Sequence, residues 1–202
     1  MAIRIGILFF DDVDILDSAG PYEVFLTANR LAVRDGQEPP FELVLLSPGG
    51  ADVSSYGGLR LTGLTDLADA GRLDVAVVPG LIDVPKAVAD DAIMGAVATL
   101  HDSVSLLTSV CTGAILLAHA GALEGRPATT HWEDLGLLED TGAVGSVRSQ
   151  VRWVDSGEVV TSGGLSSGIH MALHVVERLA SRDLAERTAR QIDLDWDPEG
   201  AR

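Results

Sequence analysis

The sequence predicts an α/β fold, a mostly parallel sheet with helices on both faces. Three observations carry this. Short, wholly apolar stretches recur along the chain, as in strands buried on both faces. They alternate with segments whose apolar residues recur at helical spacing, the pattern of successive strand–helix units. The chain's only cysteine lies at a strand-to-helix joint, Ser109-Val110-Cys111-Thr112-Gly113. Its small-x-nucleophile-x-Gly spacing is that of a nucleophile elbow.

Taken in order, Met1 to Phe10 reads as the first strand, with Ile3–Phe10 as its buried part. Asp11–Asp17 forms a polar loop. Ser18-Ala19-Gly20-Pro21 opens a helix to about Val33, with Val24, Phe25, Ala28, Leu31 and Ala32 on one face. Asp17 or Ser18 is placed to cap it, and Pro21 is tolerated in its first turn. A turn at Asp35–Pro40 leads to a second strand, Phe41–Leu46, closed by Ser47-Pro48-Gly49-Gly50. Val53–Thr62, around Tyr56-Gly57-Gly58, is a small hairpin or an edge excursion.

Leu73–Val78 is another apolar strand, ended by Pro79-Gly80. A helical region over Val84–His101 is broken near Asp90-Asp91. The strand from Val104 then runs into the elbow, and a helix covers Thr112 to about Ala120, ended by Gly121. Thr129-Thr130-His131-Trp132 leads to a polar helix, Glu133–Leu138. Val151–Val154 and Glu158–Thr161 form a strand pair about Asp155-Ser156-Gly157. A glycine-rich turn, Ser162–Gly168, precedes helices over Ile169–Ala180 and Leu184–Ile192. There is no internal repeat or long linker.

At 202 residues, residues 1–202 are expected to form one domain, or one domain with a small lobe. Hydrophobic residues make up 47% but aromatics only 4%, so the core is built from Val, Leu, Ile and Ala. One cysteine excludes an intrachain disulfide framework and a multi-cysteine metal site. The first residues lack the features of a signal peptide, and no apolar run reaches membrane-span length. A soluble, cytoplasmic protein is expected. The net charge of −16 argues against nucleic acid as a direct partner. Abundant Ala, Gly, Asp and Arg beside scarce Lys points to a GC-rich bacterial gene.

In parallel sheets the working residues gather at the carboxyl ends of strands. Asp11–Asp17, Pro79-Gly80-Leu81, Cys111 and Gly163–Ser167 all follow predicted strands and can converge on one rim. Cys111 is the candidate nucleophile, at the positive end of a helix where geometry and dipole favour a thiolate. Asp17 is either a helix cap or a carboxylate partner of that thiol. Gly80 and Leu81 form either an ordinary turn or, with the Thr112 N–H, an anion site. His131 is a structural hydrogen-bonding residue or an accessory of Cys111. Ser162–Gly168 lacks the lysine of a P-loop and instead permits close approach to a pocket. No cofactor and no metal site is expected.

Leu16-Asp17-x-x-Gly20-Pro21-x-Glu23-Val24-Phe25, Val77-Val78-Pro79-Gly80, Ser109–Ala114 and Ala128-Thr129-Thr130-His131-Trp132 together resemble the DJ-1/PfpI superfamily, a branch of the flavodoxin-like, glutamine-amidotransferase-like fold. The resemblance covers essentially the whole chain, including Asp197-Pro198. Asp17 combined with Cys111-Thr112-Gly113 looks most like the isocyanide hydratases.

That resemblance implies Cys111 as nucleophile on a strained elbow, Asp17 engaging the thiol and the attacking water, and Thr112 contributing N–H and hydroxyl. It implies hydration of an organic isocyanide, a small-molecule substrate, to an N-substituted formamide through a covalent thioimidate, and a homodimer with neither membrane nor nucleic-acid partner. Thr112 stands where PfpI-type peptidases carry histidine, which speaks against peptidase activity. Asp17 stands where DJ-1 carries glutamate. Glyoxalase-like or deglycase-like chemistry is a second expectation. A third is a ligand-sensing domain related to AraC-type regulators, whose chains continue into a helix-turn-helix module where this one ends at Arg202.

Overall fold

The computed structural model describes residues 2–200. Met1, read above as the start of the first strand, and the last two residues of the expected domain lie outside them. Eleven strands run β1 (Ile3–Leu8), β2 (Phe41–Ser47), β3 (Val53–Ser54), β4 (Arg60–Leu61), β5 (Thr65–Asp66), β6 (Val75–Val78), β7 (Leu106–Ser109), β8 (Pro127–Ala128), β9 (Ser146–Val147), β10 (Trp153–Asp155) and β11 (Val159–Ser162). The helices are α1 (Ile15–Arg34), α2 (Val84–Val88), α3 (Asp91–Ser103), α4 (Gly113–His119), α5 (Leu135–Asp140), α6 (Ser166–Leu179) and α7 (Arg182–Gln191).

Seven strands form one sheet in the order β10-β11-β7-β6-β1-β2-β5. Every neighbouring pair is parallel except β10–β11. The expected mostly parallel α/β sheet is therefore present. Its middle is mostly apolar: Ile5 pairs with Leu43 on one side and Val75 on the other, and Val77 pairs with Thr108, which is buried with its hydroxyl donating to the Ala76 carbonyl. Strand runs without polar alternation can only be covered on both faces. Helices α1, α6 and α7 pack together as one layer, and α2, α3 and α4 as another. Asn29 of α1 fastens its layer to β2, accepting from the Phe41 N–H at 2.9 Å and donating to the Phe41 carbonyl at 2.7 Å.

Several expectations shift. The first strand stops at Leu8, and Phe9 and Phe10 are buried in the following loop instead. Helix α1 starts at Ile15 rather than Ser18, so Asp17 belongs to its first turn and caps nothing. The helix start is set by tertiary bonds: Val13 bridges Leu81, and the Asp14 N–H donates to the Gly80 carbonyl at 3.0 Å. Ser18 is no cap either, because its hydroxyl donates to the Leu8 carbonyl at 2.9 Å. The predicted break in the helical region is real, with the Asp90 carboxylate capping α3 through the Ala92 and Ile93 N–H groups. The excursion after β2 is a two-residue hairpin, β3–β4, and β5 then adds an unforeseen edge strand.

The sheet order reverses between β1 and β6, because β2 lies on one side of β1 and β6 on the other. The crevice beyond the carboxyl ends at such a reversal is where open α/β sheets bind ligands. Here it receives the start of α1, the loop after β6 and the elbow after β7.

Candidate active site

The elbow is a strained joint. Cys111 holds φ = +56°, a conformation that residues with a Cβ rarely adopt and that persists only when its surroundings impose it. Three bonds do so. The Cys111 N–H donates to the Gly163 carbonyl at 3.2 Å, the Val110 N–H donates to the Val78 carbonyl at 3.0 Å, and the Thr130 hydroxyl donates to the Cys111 carbonyl at 2.7 Å. Helix α4 begins so close to β6 that a Cβ on Gly113 would stand 2.5 Å from the Val78 carbonyl oxygen. Only glycine fits there, which explains the small residue two places after the cysteine.

Asp17 lies beside the thiol and is 0% exposed. One carboxylate oxygen accepts from the Gly80 N–H at 3.0 Å and the other from the Leu165 N–H at 3.2 Å. These two donors come from the loops after β6 and β11, so three segments distant in sequence aim one carboxylate. The Cys111 thiol adjoins it, and each group shifts the other's proton affinity. Leu165 is itself at φ = +54° and ψ = −105°, the glycine-favouring position of a type II′ turn. This backbone donor was not foreseen, because a leucine in that conformation leaves no sequence signal.

Burial dominates the electrostatics. It pushes the Asp17 carboxyl up to about 7, aided by the charge of Asp14 and opposed by the Gly80 and Leu165 N–H groups and the thiol. It pushes the Cys111 thiol up to about 12, with the Asp17 carboxylate as the next cause and Asp14 and Asp134 adding to it. The Thr112 N–H pulls the other way but is outweighed. The expectation that helix dipole and elbow geometry favour a free thiolate is thus corrected. Helix α4 has only 7 residues, and a carboxylate shares its mouth. Asp17 and Cys111 titrate as a coupled pair that holds two protons below about 7 and one above it.

The expected anion site also changes. The Gly80 N–H is committed to Asp17, and the Leu81 N–H donates to the Thr112 hydroxyl at 2.9 Å. That hydroxyl in turn donates to the Leu81 carbonyl at 2.7 Å, so it is engaged by the Leu81 backbone both as acceptor and as donor. The Gly80 N–H therefore positions Asp17 and the Leu81 N–H holds Thr112, which leaves the Thr112 backbone N–H, the group that lowers the thiol's pKa, as the donor nearest the sulfur's charge.

Above the pair lies a cavity of about 320 Å³, lined by Asp14, Leu81, Ile82, Cys111, Thr112, His131, Glu133, Asp134 and Leu165. Its size suits a small organic ligand. His131 does reach this cavity, but its polar neighbours are Asp134, 3.4 Å from Nδ1, and Glu133, at 3.7 Å. A Cβ on Gly164 would stand 2.2 Å from the His131 ring, so a glycine is needed where the turn packs against the imidazole. Among the described residues no three His, Cys, Asp or Glu side chains are grouped to hold a metal ion, and no helix is long and apolar enough to cross a membrane.

The family model for DJ-1/PfpI proteins matches residues 4–178. The chain belongs to the DJ-1/PfpI family. The isonitrile hydratase of Pseudomonas putida is 34% identical over 198 residues, which are 98% of this DJ-1/PfpI chain and 80% of that protein. The transcriptional regulator GlxA of Rhizobium meliloti is 28% identical over 194 residues, and this chain spans 56% of its length. A THiJ/PfpI family protein from Pseudomonas syringae has the same fold, with a TM-score of 0.83 at 24% identity, over 98% of this chain and 77% of that one. This chain is thus similar both to an enzyme and to a transcriptional regulator.

Proposed function

We propose that this protein hydrates an organic isocyanide to an N-substituted formamide, with Cys111 as nucleophile and Asp17 as its proton shuttle. The observation that carries the reading is the Asp17 carboxylate, fixed by two backbone N–H groups beside a thiol on a strained elbow. The 34% identity to an isonitrile hydratase supports it, isonitrile and isocyanide being the same functional group.

The terminal carbon of R–N≡C is a soft electrophilic centre with no leaving group, so it asks for a soft nucleophile and a local proton. The sulfur forms a bond to that carbon, while the thiol proton passes through Asp17 to the same carbon, giving the thioimidate R–N=CH–S–Cys111. Water then adds to the thioimidate carbon, its proton going to the Asp17 carboxylate. The C–S bond breaks, the cysteine recovers a proton from Asp17, and R–N=CH–OH rearranges to R–NH–CHO. The Thr112 N–H, which favours the thiolate, steadies negative charge as the bond forms and breaks.

The raised value of Asp17, about 7, suits a group that must take and return a proton near neutral pH. Loss of the isocyanide stretch in the infrared, followed with alkyl and aryl isocyanides, tests the reading. Turnover is expected for the wild type and not for Cys111→Ala. No turnover across the panel would overturn it.

A homodimer belongs to the same proposal. Ile82 and Leu165, which line the cavity, and Trp132, which adjoins His131, are large, exposed apolar side chains. A second copy covering them would explain such a collar, and light scattering should give twice the mass of the chain. The regulator relatives favour one other reading, a domain that binds its ligand without turning it over. Tight, saturable binding that persists in Cys111→Ser without product would establish that one instead.

A further inference from the structure

The cavity above Cys111 has an uneven charge. Asp14, Glu133 and Asp134 contribute three carboxylates to its lining, and no lysine or arginine lines it. His131 is the sole lining side chain able to become cationic, and it lies between Glu133 and Asp134. Two carboxylates therefore offset one imidazole, and Asp14, from the loop before α1, adds a third. The Asp17–Cys111 pair beneath adds a shared negative charge. Leu81, Ile82 and Leu165 provide apolar wall between these charges, and low-dielectric walls concentrate a field of one sign.

We propose that Asp14, Glu133 and Asp134 make this site select neutral and cationic substrates and reject anionic ones. The proposal rests on the hydratase reading for its substrate, an isocyanide whose substituent is uncharged or carries an ammonium group. The excluded class is the carboxylate- or phosphate-bearing isocyanide. Such a group would enter against three carboxylates with no cation to receive it, and desolvating it there has no compensation. The effect is separate from catalysis, because these side chains act through their field on the approaching molecule.

The chain's single cysteine allows a test that does not need turnover. Methanethiosulfonates of matched size, one with a trimethylammonium and one with a sulfonate tail, each transfer their R–S group to the thiol and release methanesulfinate. Rates at Cys111 are divided by the rates with 2-mercaptoethanol to remove intrinsic reactivity. The cationic reagent is expected to be favoured by about 10-fold at low salt, the lower end of what focused fields achieve. That ratio should fall several-fold in Asp14→Asn/Asp134→Asn and at ~0.5 M salt, where screening shortens the field's reach to a few ångströms. In parallel, kcat/KM should rank an ammonium-bearing or neutral isocyanide above a carboxylate-bearing one.

A normalised ratio near one, a preference for the anionic reagent, or a ratio unmoved by both the double variant and salt would overturn the proposal. Failure of every isocyanide to turn over, with the thiol ratio intact, would overturn the hydratase reading and leave the charge selection standing.

Discussion

At the scale of single residues, the nucleophile was visible in the sequence and its partner only half so. One cysteine between a β-forming run and a helix-forming run announces Cys111. Asp17 had two readings, and a single observation separates them: both its oxygens accept from backbone N–H groups of other loops. Those donors are main-chain atoms of Gly80 and Leu165, which no side-chain pattern encodes. Thr130, whose hydroxyl fixes the elbow carbonyl, was read only as part of a motif.

The pH behaviour follows from the coupled pair. Attack on the substrate needs one proton shared between Asp17 and Cys111, so kcat/KM for a neutral isocyanide should rise with pH through about 7, where Asp17 ionises. Asp17→Asn should lower hydration by about 10²-fold or more and remove that limb. Stability follows the same group. The native state binds the Asp17 proton more tightly than the unfolded chain, so raising the pH from the ordinary carboxylate range through about 7 costs native stability. Denaturation midpoints measured between pH 5 and 8 should fall in the wild type and fall less in Asp17→Asn.

At the scale of elements, the alternation of strands and helices could be read directly, because strands buried on both faces and amphipathic helices are the strongest sequence signals. Two-residue strands without a glycine turn to mark them were not legible: β5, β8 and β9 are too short to show any period. The start of α1 was misplaced by three residues, Ile15 against Ser18, because the bonds joining Val13 and Asp14 to the loop after β6 decide it. Contacts between loops leave no local trace. The elbow's tightness is itself testable. Gly113→Ala would drive a methyl into the Val78 and Pro79 carbonyls, which are backbone and cannot rotate away. A loss of about 3 kcal/mol in chemical denaturation is expected, at the upper end for overpacking. A variant as stable as the wild type would mean that α4 can move off β6.

At the scale of the whole molecule, charge is the dominant feature. Thirty acidic residues stand against 14 basic ones, a net charge of −16. Self-repulsion of this kind is screened by salt. The melting temperature should therefore rise by a few degrees between low salt and ~0.5 M sodium chloride, and a fall would show that specific ion pairs outweigh the net repulsion. The same excess of carboxylates extends into the cavity above Cys111, where it acts on whatever approaches the thiol. What happens at that thiol is most directly read by acid quench during turnover, with mass spectrometry of the peptide that contains Cys111. The account predicts a mass increase of one isocyanide on that cysteine, appearing before the formamide and decaying as the isocyanide is consumed. Formamide produced at an undiminished rate by Cys111→Ala, with no adduct on the wild-type peptide, would contradict it.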